Sequence, residues 1–120
     1  MNIKLLWLLG VAFFVAGCAA TEQAASPINV KAKTYAEALQ SADKSCRVDE
    51  DCTSVSKGCC PCAGNEAVNK DAAKLLNQRL NKECAQAVCT LQMCYVEINT
   101  SCQNGTCVGT PKPMKDYFAK

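Results

Sequence analysis

Cysteine content constrains this chain more than any other feature. The 120 residues include eleven cysteines and no histidine, and all but one of the cysteines lie between residues 46 and 107. Such a density in a short chain is typical of a domain held together by disulfide bonds in an oxidising compartment. Because the clustered cysteines are even in number, we expect about five bridges among them. They are Cys46, Cys52, Cys59, Cys60, Cys62, Cys84, Cys89, Cys94, Cys102 and Cys107.

The remaining cysteine, Cys18, ends a segment with the pattern of an export signal. Lys4 provides a basic start and the apolar run 5–14 follows, which is too short to span a membrane comfortably. The next four residues, Val15-Ala16-Gly17-Cys18, resemble the lipobox of bacterial lipoproteins. That resemblance implies cleavage before Cys18 and attachment of lipid, including a fatty acyl chain such as palmitate, to this residue. Because Ala19 follows instead of aspartate, it also implies the outer membrane, facing the periplasm or the cell surface.

Composition divides the chain into four parts. Residues 1–17 are the expected signal peptide, and residues 18–33 are rich in Ala, Thr, Gln and Ser, which favours a flexible tether. Residues 34–110 contain the cysteine cluster and form the expected disulfide-rich domain. Residues 111–120 are a polar tail. Removal of Lys4 with the signal leaves twelve of the 13 basic residues against 11 acidic ones, so no strong charge is available to attract nucleic acid.

Local patterns predict a small disulfide-rich α+β fold. Thr34-Tyr35-Ala36-Glu37 has the form of a helix capping box, which predicts a short helix over 35–44. Apolar residues at helical spacing predict one long helix over about 66–84, beginning after a turn at Gly64-Asn65. Residues 95–99 alternate as a strand does, and Asn104-Gly105 is a favoured two-residue hairpin turn, which predicts a strand and hairpin near the carboxyl terminus.

Disulfide connectivity cannot be deduced from the spacing of ten cysteines, but two constraints apply. The adjacent Cys59 and Cys60 should have different partners, because a ring between neighbours strains the peptide. Cys84 falls on the apolar face of the predicted long helix, so we expect it to bond into the core.

The hairpin cysteines Cys102 and Cys107 allow two arrangements. They face each other across the predicted turn, where a direct bridge is permitted by geometry. A bridge that closes so short a loop constrains the unfolded chain less than a bridge between distant cysteines does, and therefore stabilises the fold less. We therefore slightly favour the alternative, in which one of the two is bonded to Cys84, Cys89 or Cys94 and ties the hairpin to the long helix.

Residues 46–60 resemble the centre of whey-acidic-protein domains, which are small four-disulfide folds. The shared pattern is Cys46-Arg47-Val48-Asp49-Glu50-Asp51-Cys52, then Lys57 and the pair Cys59-Cys60. The likeness ends there, since Cys62 follows too closely, so we interpret it as convergence on a tight cross-linked turn. The layout as a whole resembles cysteine-cluster lipoproteins of bacteria.

Three chemical interpretations of the motifs compete with a purely structural one. The acidic run Asp49-Glu50-Asp51 offers oxygen ligands for calcium, but such acids more often solvate a turn or accept hydrogen bonds from local amides. Cys59 and Cys62 form a C-x-x-C pair, which is typical of thiol–disulfide exchange proteins. Zinc or iron–sulfur binding would use the same cysteines, although no second such pair and no histidine support it.

These observations favour a non-enzymatic role. Without histidine the chain has no imidazole base and no imidazole metal ligand, and a small loop-rich domain offers little cavity for carboxylate catalysis. We expect no catalytic residue, no metal and no cofactor. The expected function is a lipid-anchored envelope protein that binds or inhibits a protein partner. The alternatives are a structural envelope component and a small thiol-redox protein that uses Cys59 and Cys62.

Overall fold

The computed structural model describes residues 26–119, so the predicted signal peptide and Cys18 lie outside the described residues. The described part of the chain is a small α+β domain with three helices, two antiparallel hairpins and five disulfide bonds. The predicted fold class is therefore confirmed. The helices and strands are α1 (Tyr35–Gln40), β1 (Cys52–Ser56), β2 (Asn65–Asn69), α2 (Lys70–Glu83), β3 (Ile98–Gln103), β4 (Thr106–Pro111) and α3 (Met114–Phe118).

Helix α1 begins where the capping pattern predicts. The Thr34 side chain accepts a hydrogen bond from the backbone N–H of Glu37 at 3.2 Å, and the Glu37 carboxylate accepts one from the N–H of Lys33 at 2.8 Å. These bonds satisfy amides that a helix leaves free at its amino terminus. The helix ends at Gln40, earlier than predicted, and the Ser41 hydroxyl donates hydrogen bonds to the carbonyls of Glu37 and Ala38 in its last turn.

The long helix begins four residues later than the sequence predicts. Residues 65–69 form β2, which pairs with β1 in the register Cys52↔Asn69 to Ser56↔Asn65. Helix α2 then starts at Lys70, with the Asn69 side chain accepting a hydrogen bond from the N–H of Asp71 at 2.8 Å. The prediction of helix over 66–69 is wrong. Ala67 and Val68 are both buried, so this strand has adjacent apolar residues in place of the usual alternation, and they match the apolar spacing of a helix.

Both faces of the β1–β2 hairpin are covered, which explains those neighbouring buried residues. Val55 and Val68 point toward α1 and α2, where they join the main core with Leu39, Leu76 and Tyr35. Successive residues of a strand point to opposite faces. The other face accordingly carries Cys52 and Ala67, which pack against Cys107 and the partly buried Ile98 of the second hairpin.

The second hairpin has the predicted turn. Asn104 and Gly105 both have positive φ, of 52° and 78°, and Gln103 pairs with Thr106. Positive φ at both central residues is the requirement of the type I′ turn that best fits the twist of a hairpin. The predicted strand over 95–99 is only partly right, because β3 begins at Ile98 and continues to the turn.

The amino-terminal segment packs on the domain from Ile28 onward. Ile28 and Ala32 are buried in the main core, the Arg79 side chain donates to the Ala32 carbonyl, and the Tyr35 N–H donates to the Glu83 carboxylate at 2.8 Å. The predicted tether over 18–33 therefore extends too far into the domain. Burial, together with the nearby acidic side chains, also raises the pKa of the Tyr35 phenol, whose hydroxyl donates to the Ser56 carbonyl.

Candidate functional site

The five disulfides fall into two groups with different tasks. Two of them fasten the β3–β4 hairpin to the start of the domain: Cys46–Cys102 and Cys52–Cys107. Three of them fasten the loop after β1 to the chain that follows α2: Cys59–Cys84, Cys60–Cys89 and Cys62–Cys94. The second group joins its cysteines in sequence order, so the two cross-linked stretches are held side by side.

This pairing resolves the predictions about single cysteines. Cys59 and Cys60 have different partners, as predicted. Cys84 is bonded to the exposed Cys59 and not into the core, because it lies at the carboxyl-terminal cap of α2, beyond the buried face. The hairpin is not tied to the long helix, so the slightly favoured arrangement for Cys102 and Cys107 is wrong.

The motifs considered for metal and redox chemistry have structural partners. The Asp49 carboxylate accepts a hydrogen bond from the Cys102 N–H at 2.7 Å. The Asp51 carboxylate accepts bonds from the N–H groups of Arg47 and Val48, which lower its pKa. Within the C-x-x-C motif, Cys59 and Cys62 are bonded to other cysteines and not to each other.

A cluster of sulfur atoms lies between the hairpins. The sulfurs of Cys46, Cys52 and Cys107 are all within 4.8 Å of one another, because the two hairpin disulfides pack side by side. Each sulfur already has a covalent sulfur partner, whereas metal ligation requires the thiolate. In its oxidised form this cluster is therefore part of the framework that holds the two hairpins together.

The most unusual surface of the domain is the stretch from Val88 to Tyr95, which we name the clamped segment. It follows α2 without helix or strand, and its sequence Val-Cys-Thr-Leu-Gln-Met-Cys-Tyr contains no charged residue. Val88, Leu91 and Met93 are 96%, 106% and 83% exposed, among the most exposed large apolar side chains of the described residues. Three highly exposed large apolar side chains within six residues make this stretch a candidate interaction surface.

Covalent bonds and side-chain contacts hold the clamped segment at both ends. Its two cysteines, Cys89 and Cys94, are bonded to Cys60 and Cys62, with Cα–Cα distances of 5.4 and 5.3 Å. Just beyond its end, the side-chain amide of Asn65 donates to the Val96 carbonyl at 2.9 Å. The segment is thus exposed but fixed to the body of the domain.

The carboxyl-terminal residues strengthen the far end of the clamped segment. Residues 111–120 were predicted as a polar tail, but α3 places the Tyr117 ring edge-on to the Tyr95 ring at 5.0 Å. The Tyr117 hydroxyl accepts a hydrogen bond from the Glu97 N–H at 2.8 Å. Lys112 forms a salt bridge with Glu97 at 2.9 Å, and this carboxylate raises the pKa of the lysine.

The backbone groups of the clamped segment have no hydrogen-bond partner within the described part of the chain. Among residues 26–119, no hydrogen bond is formed by the N–H and C=O groups of residues 88–95. Groups of this kind are normally paired with other protein groups or with water. At this surface they are available to a partner, in addition to the apolar side chains.

Leu91 and Met93 were not singled out from the sequence as candidate binding residues. The available signal was a run from Cys84 to Val96 without charge, in a chain with 20% charged residues. Exposure could not be read from that signal, because an uncharged apolar run predicts a buried segment equally well.

Comparison of the chain with protein-family models, with curated proteins and with solved structures gave no match. Among residues 26–119, no helix combines the length and the apolar character required to span a membrane.

Proposed function

We propose that this protein is a non-enzymatic binding module of the bacterial cell envelope, anchored by lipid on Cys18, which engages a protein partner through the clamped segment. The observation that carries the proposal is the combination of high exposure at Leu91 and Met93 with disulfide bonds at both Cys89 and Cys94. A rigid scaffold that displays apolar side chains is suited to recognition.

Rigidity lowers the free-energy cost of binding. A flexible loop must be ordered when it docks, at about 0.5–1.5 kcal/mol for each immobilised side chain, in addition to the backbone. The bridges at Cys89 and Cys94 restrict the backbone before any partner arrives. More of the interaction free energy is then available as affinity.

The exposed side chains supply the driving force. Full burial of one Leu or Met side chain contributes about 1.5–3 kcal/mol, and a few such anchors at the centre of an interface dominate its affinity. Leu91 and Met93 lie between the two clamping cysteines, so a disulfide fixes the backbone on either side of them. They are therefore the residues on which we expect binding to depend.

Anchoring and location remain part of the proposal. The lipobox resemblance at residues 15–18 supports attachment to a membrane, with the outer membrane, facing the periplasm or the cell surface, as the site. The segment before Ile28 would then connect the lipid to the packed domain. Two or three acyl chains hold a small protein stably at a bilayer, whereas one does so only marginally.

Site-directed photo-crosslinking in the cells that make the protein tests this function. A photoreactive amino acid at position 91 should give a discrete adduct with a second protein. An excess of the soluble wild-type domain should compete for that protein and reduce the yield of the adduct. The matched control is position 103, because Gln103 is also exposed but lies at the tip of the β3–β4 hairpin. The proposal fails if position 91 gives no more adduct than position 103, which would favour a purely structural role.

Thiol counting tests the redox alternative separately. Alkylation of the unreduced protein should label none of the ten domain cysteines, because all of them are bonded in pairs. Selective labelling of Cys59 and Cys62 would instead favour a thiol-exchange protein.

A further inference from the structure

We infer that the clamped segment occupies the substrate cleft of an endopeptidase that prefers large aliphatic side chains, and inhibits it with Leu91 in the primary specificity pocket. This inference rests on the proposed function and names the class of partner. It follows from four properties of the segment: its free backbone groups, its most exposed side chain, its lack of charge, and the position of its disulfides.

Backbone availability points to a cleft that recognises main chain. Partners of this kind pair with the N–H and C=O groups of the bound segment and place selected side chains in pockets. The backbone groups of residues 88–95 have no internal partner among the described residues, so docking would break no hydrogen bond within the domain. A partner that recognised side chains alone would not require this arrangement.

Side-chain identity defines the pocket. Leu91 is the most exposed large apolar residue described, and Thr90 and Gln92 beside it are also exposed and uncharged. No lysine or arginine occurs between Lys82 and Lys112, so the segment offers nothing to a pocket that selects basic residues. The chemistry fits an uncharged, deep pocket that takes Leu or Met.

Disulfide placement explains why such a segment would inhibit and not simply be digested. Hydrolysis of the Leu91–Gln92 bond would consume one water molecule and leave a carboxylate on Leu91 and an amino group on Gln92. Both new ends would stay attached, through Cys89–Cys60 and Cys94–Cys62, to cysteines separated by Pro61 alone. Groups held together in this way remain at high effective concentration, which favours resynthesis of the bond and slow release.

Inhibition assays with enzymes of known preference test the inference. The oxidised full-length protein, in detergent, should inhibit chymotrypsin or subtilisin, which accept large apolar residues, and should leave trypsin active. Leu91→Ala should weaken inhibition by about 30-fold or more, as truncation of a central anchor does. Leu91→Lys should abolish inhibition of the first two enzymes and create inhibition of trypsin.

Met93→Lys is the matched control for position and charge. It adds the same side chain two residues away on the same exposed stretch, and it should not create trypsin inhibition. Since both substituted residues are exposed, thermal unfolding should change little in either variant. A trypsin inhibitor produced by Met93→Lys and not by Leu91→Lys would overturn the assignment of Leu91.

Two further results would overturn the inference as a whole. One is the absence of inhibition of chymotrypsin and subtilisin up to about 100 μM, far above the range of specific complexes. The other is rapid cleavage after Leu91 with full recovery of enzyme activity, which would identify a substrate. If crosslinking at position 91 still captures a protein that is not a peptidase, the proposed binding function stands and only the inhibitory role fails.

Discussion

Cys102 and Cys107 lie directly opposite each other in the β3–β4 hairpin, yet each is bonded to a cysteine near the start of the domain. A bridge between them would close a loop of about six residues and, by the chain-entropy argument, stabilise the fold by about 2 kcal/mol. The observed bridges to Cys46 and Cys52 span sequence separations of 56 and 55 residues. Loops of that length correspond to about 4 kcal/mol each.

Removal of one hairpin bridge should therefore be costly. Replacement of both Cys52 and Cys107 by Ala should lower the free energy of unfolding by about 4 kcal/mol or more, because the two residues are also buried. Denaturant unfolding measures the change. The control is replacement of Cys62 and Cys94, whose bridge spans 32 residues and lies nearer the surface. Its shorter loop alone should make it about 0.5 kcal/mol less costly, and its lower burial adds to the difference. A larger loss in the control would contradict the assigned roles.

The turn of the same hairpin gives a second prediction. Gly105 has a φ of 78°, a conformation that a β-branched residue adopts only with strain. Gly105→Val should lower the free energy of unfolding by about 1–3 kcal/mol. Gly105→Asn should cost less than half as much, since Asn tolerates positive φ and a Cβ at this position would meet only the Cys46 carbonyl oxygen, at an ordinary contact distance of 3.9 Å. Equal thermal stability of the two variants would show that backbone conformation is not what selects glycine here.

Features decided by local chemistry were predictable from the sequence. The Thr34 cap and the Asn104-Gly105 turn each depend on a few neighbouring residues, and both occur as predicted. The start of α2 was missed although Asn69 is a good capping residue. Because both faces of β2 are buried, its sequence lacks the polar–apolar alternation of a half-exposed strand. Val68 therefore fits the same helical apolar spacing as Leu76.

Features that depend on long-range packing could not be predicted. Disulfide partners more than twenty residues apart are chosen by the approach of whole hairpins, which the spacing of the cysteines does not encode. The exposure of Leu91 is of the same kind, because an apolar residue between two cysteines is equally compatible with a core. The long-range bridges of Cys89 and Cys94, which the spacing does not encode, are what fix the clamped segment to the body of the domain.

The Asp51 carboxylate, in the acidic run 49–51, predicts a specific pH dependence of stability. The pKa of Asp51 is lowered chiefly by hydrogen bonds from the N–H groups of Arg47 and Val48. Because the folded pKa is below the unfolded value of about 3.9, the stabilisation is present above that pH and is lost as pH falls through the folded pKa. Asp51→Ala should thus destabilise the domain at pH 7, and its difference from wild type should shrink in acid. A constant difference at every pH would contradict this origin, and the exposed neighbour Glu50 supplies the control Glu50→Ala.

The lipobox resemblance predicts a defined effect of one substitution. Cys18→Ser removes the thiol that the lipid requires, so the protein should move from the detergent phase to the aqueous phase in a phase-partition assay. Ala19→Ser leaves the thiol in place and should partition as the wild type does. Unchanged partitioning of the Cys18 variant into the detergent phase would contradict lipid attachment at this residue.

The boundary between tether and domain can be located by two substitutions that lie two residues apart. Ile28 is 6% exposed and belongs to the main core, whereas Val30, two residues later, is 71% exposed. Ile28→Ala should lower the free energy of unfolding by about 2–4 kcal/mol, as loss of buried methyl and methylene groups does. Val30→Ala should change it by less than about 0.5 kcal/mol. Denaturant unfolding of the two variants decides the matter, because a free tether over 18–33 would make both substitutions neutral.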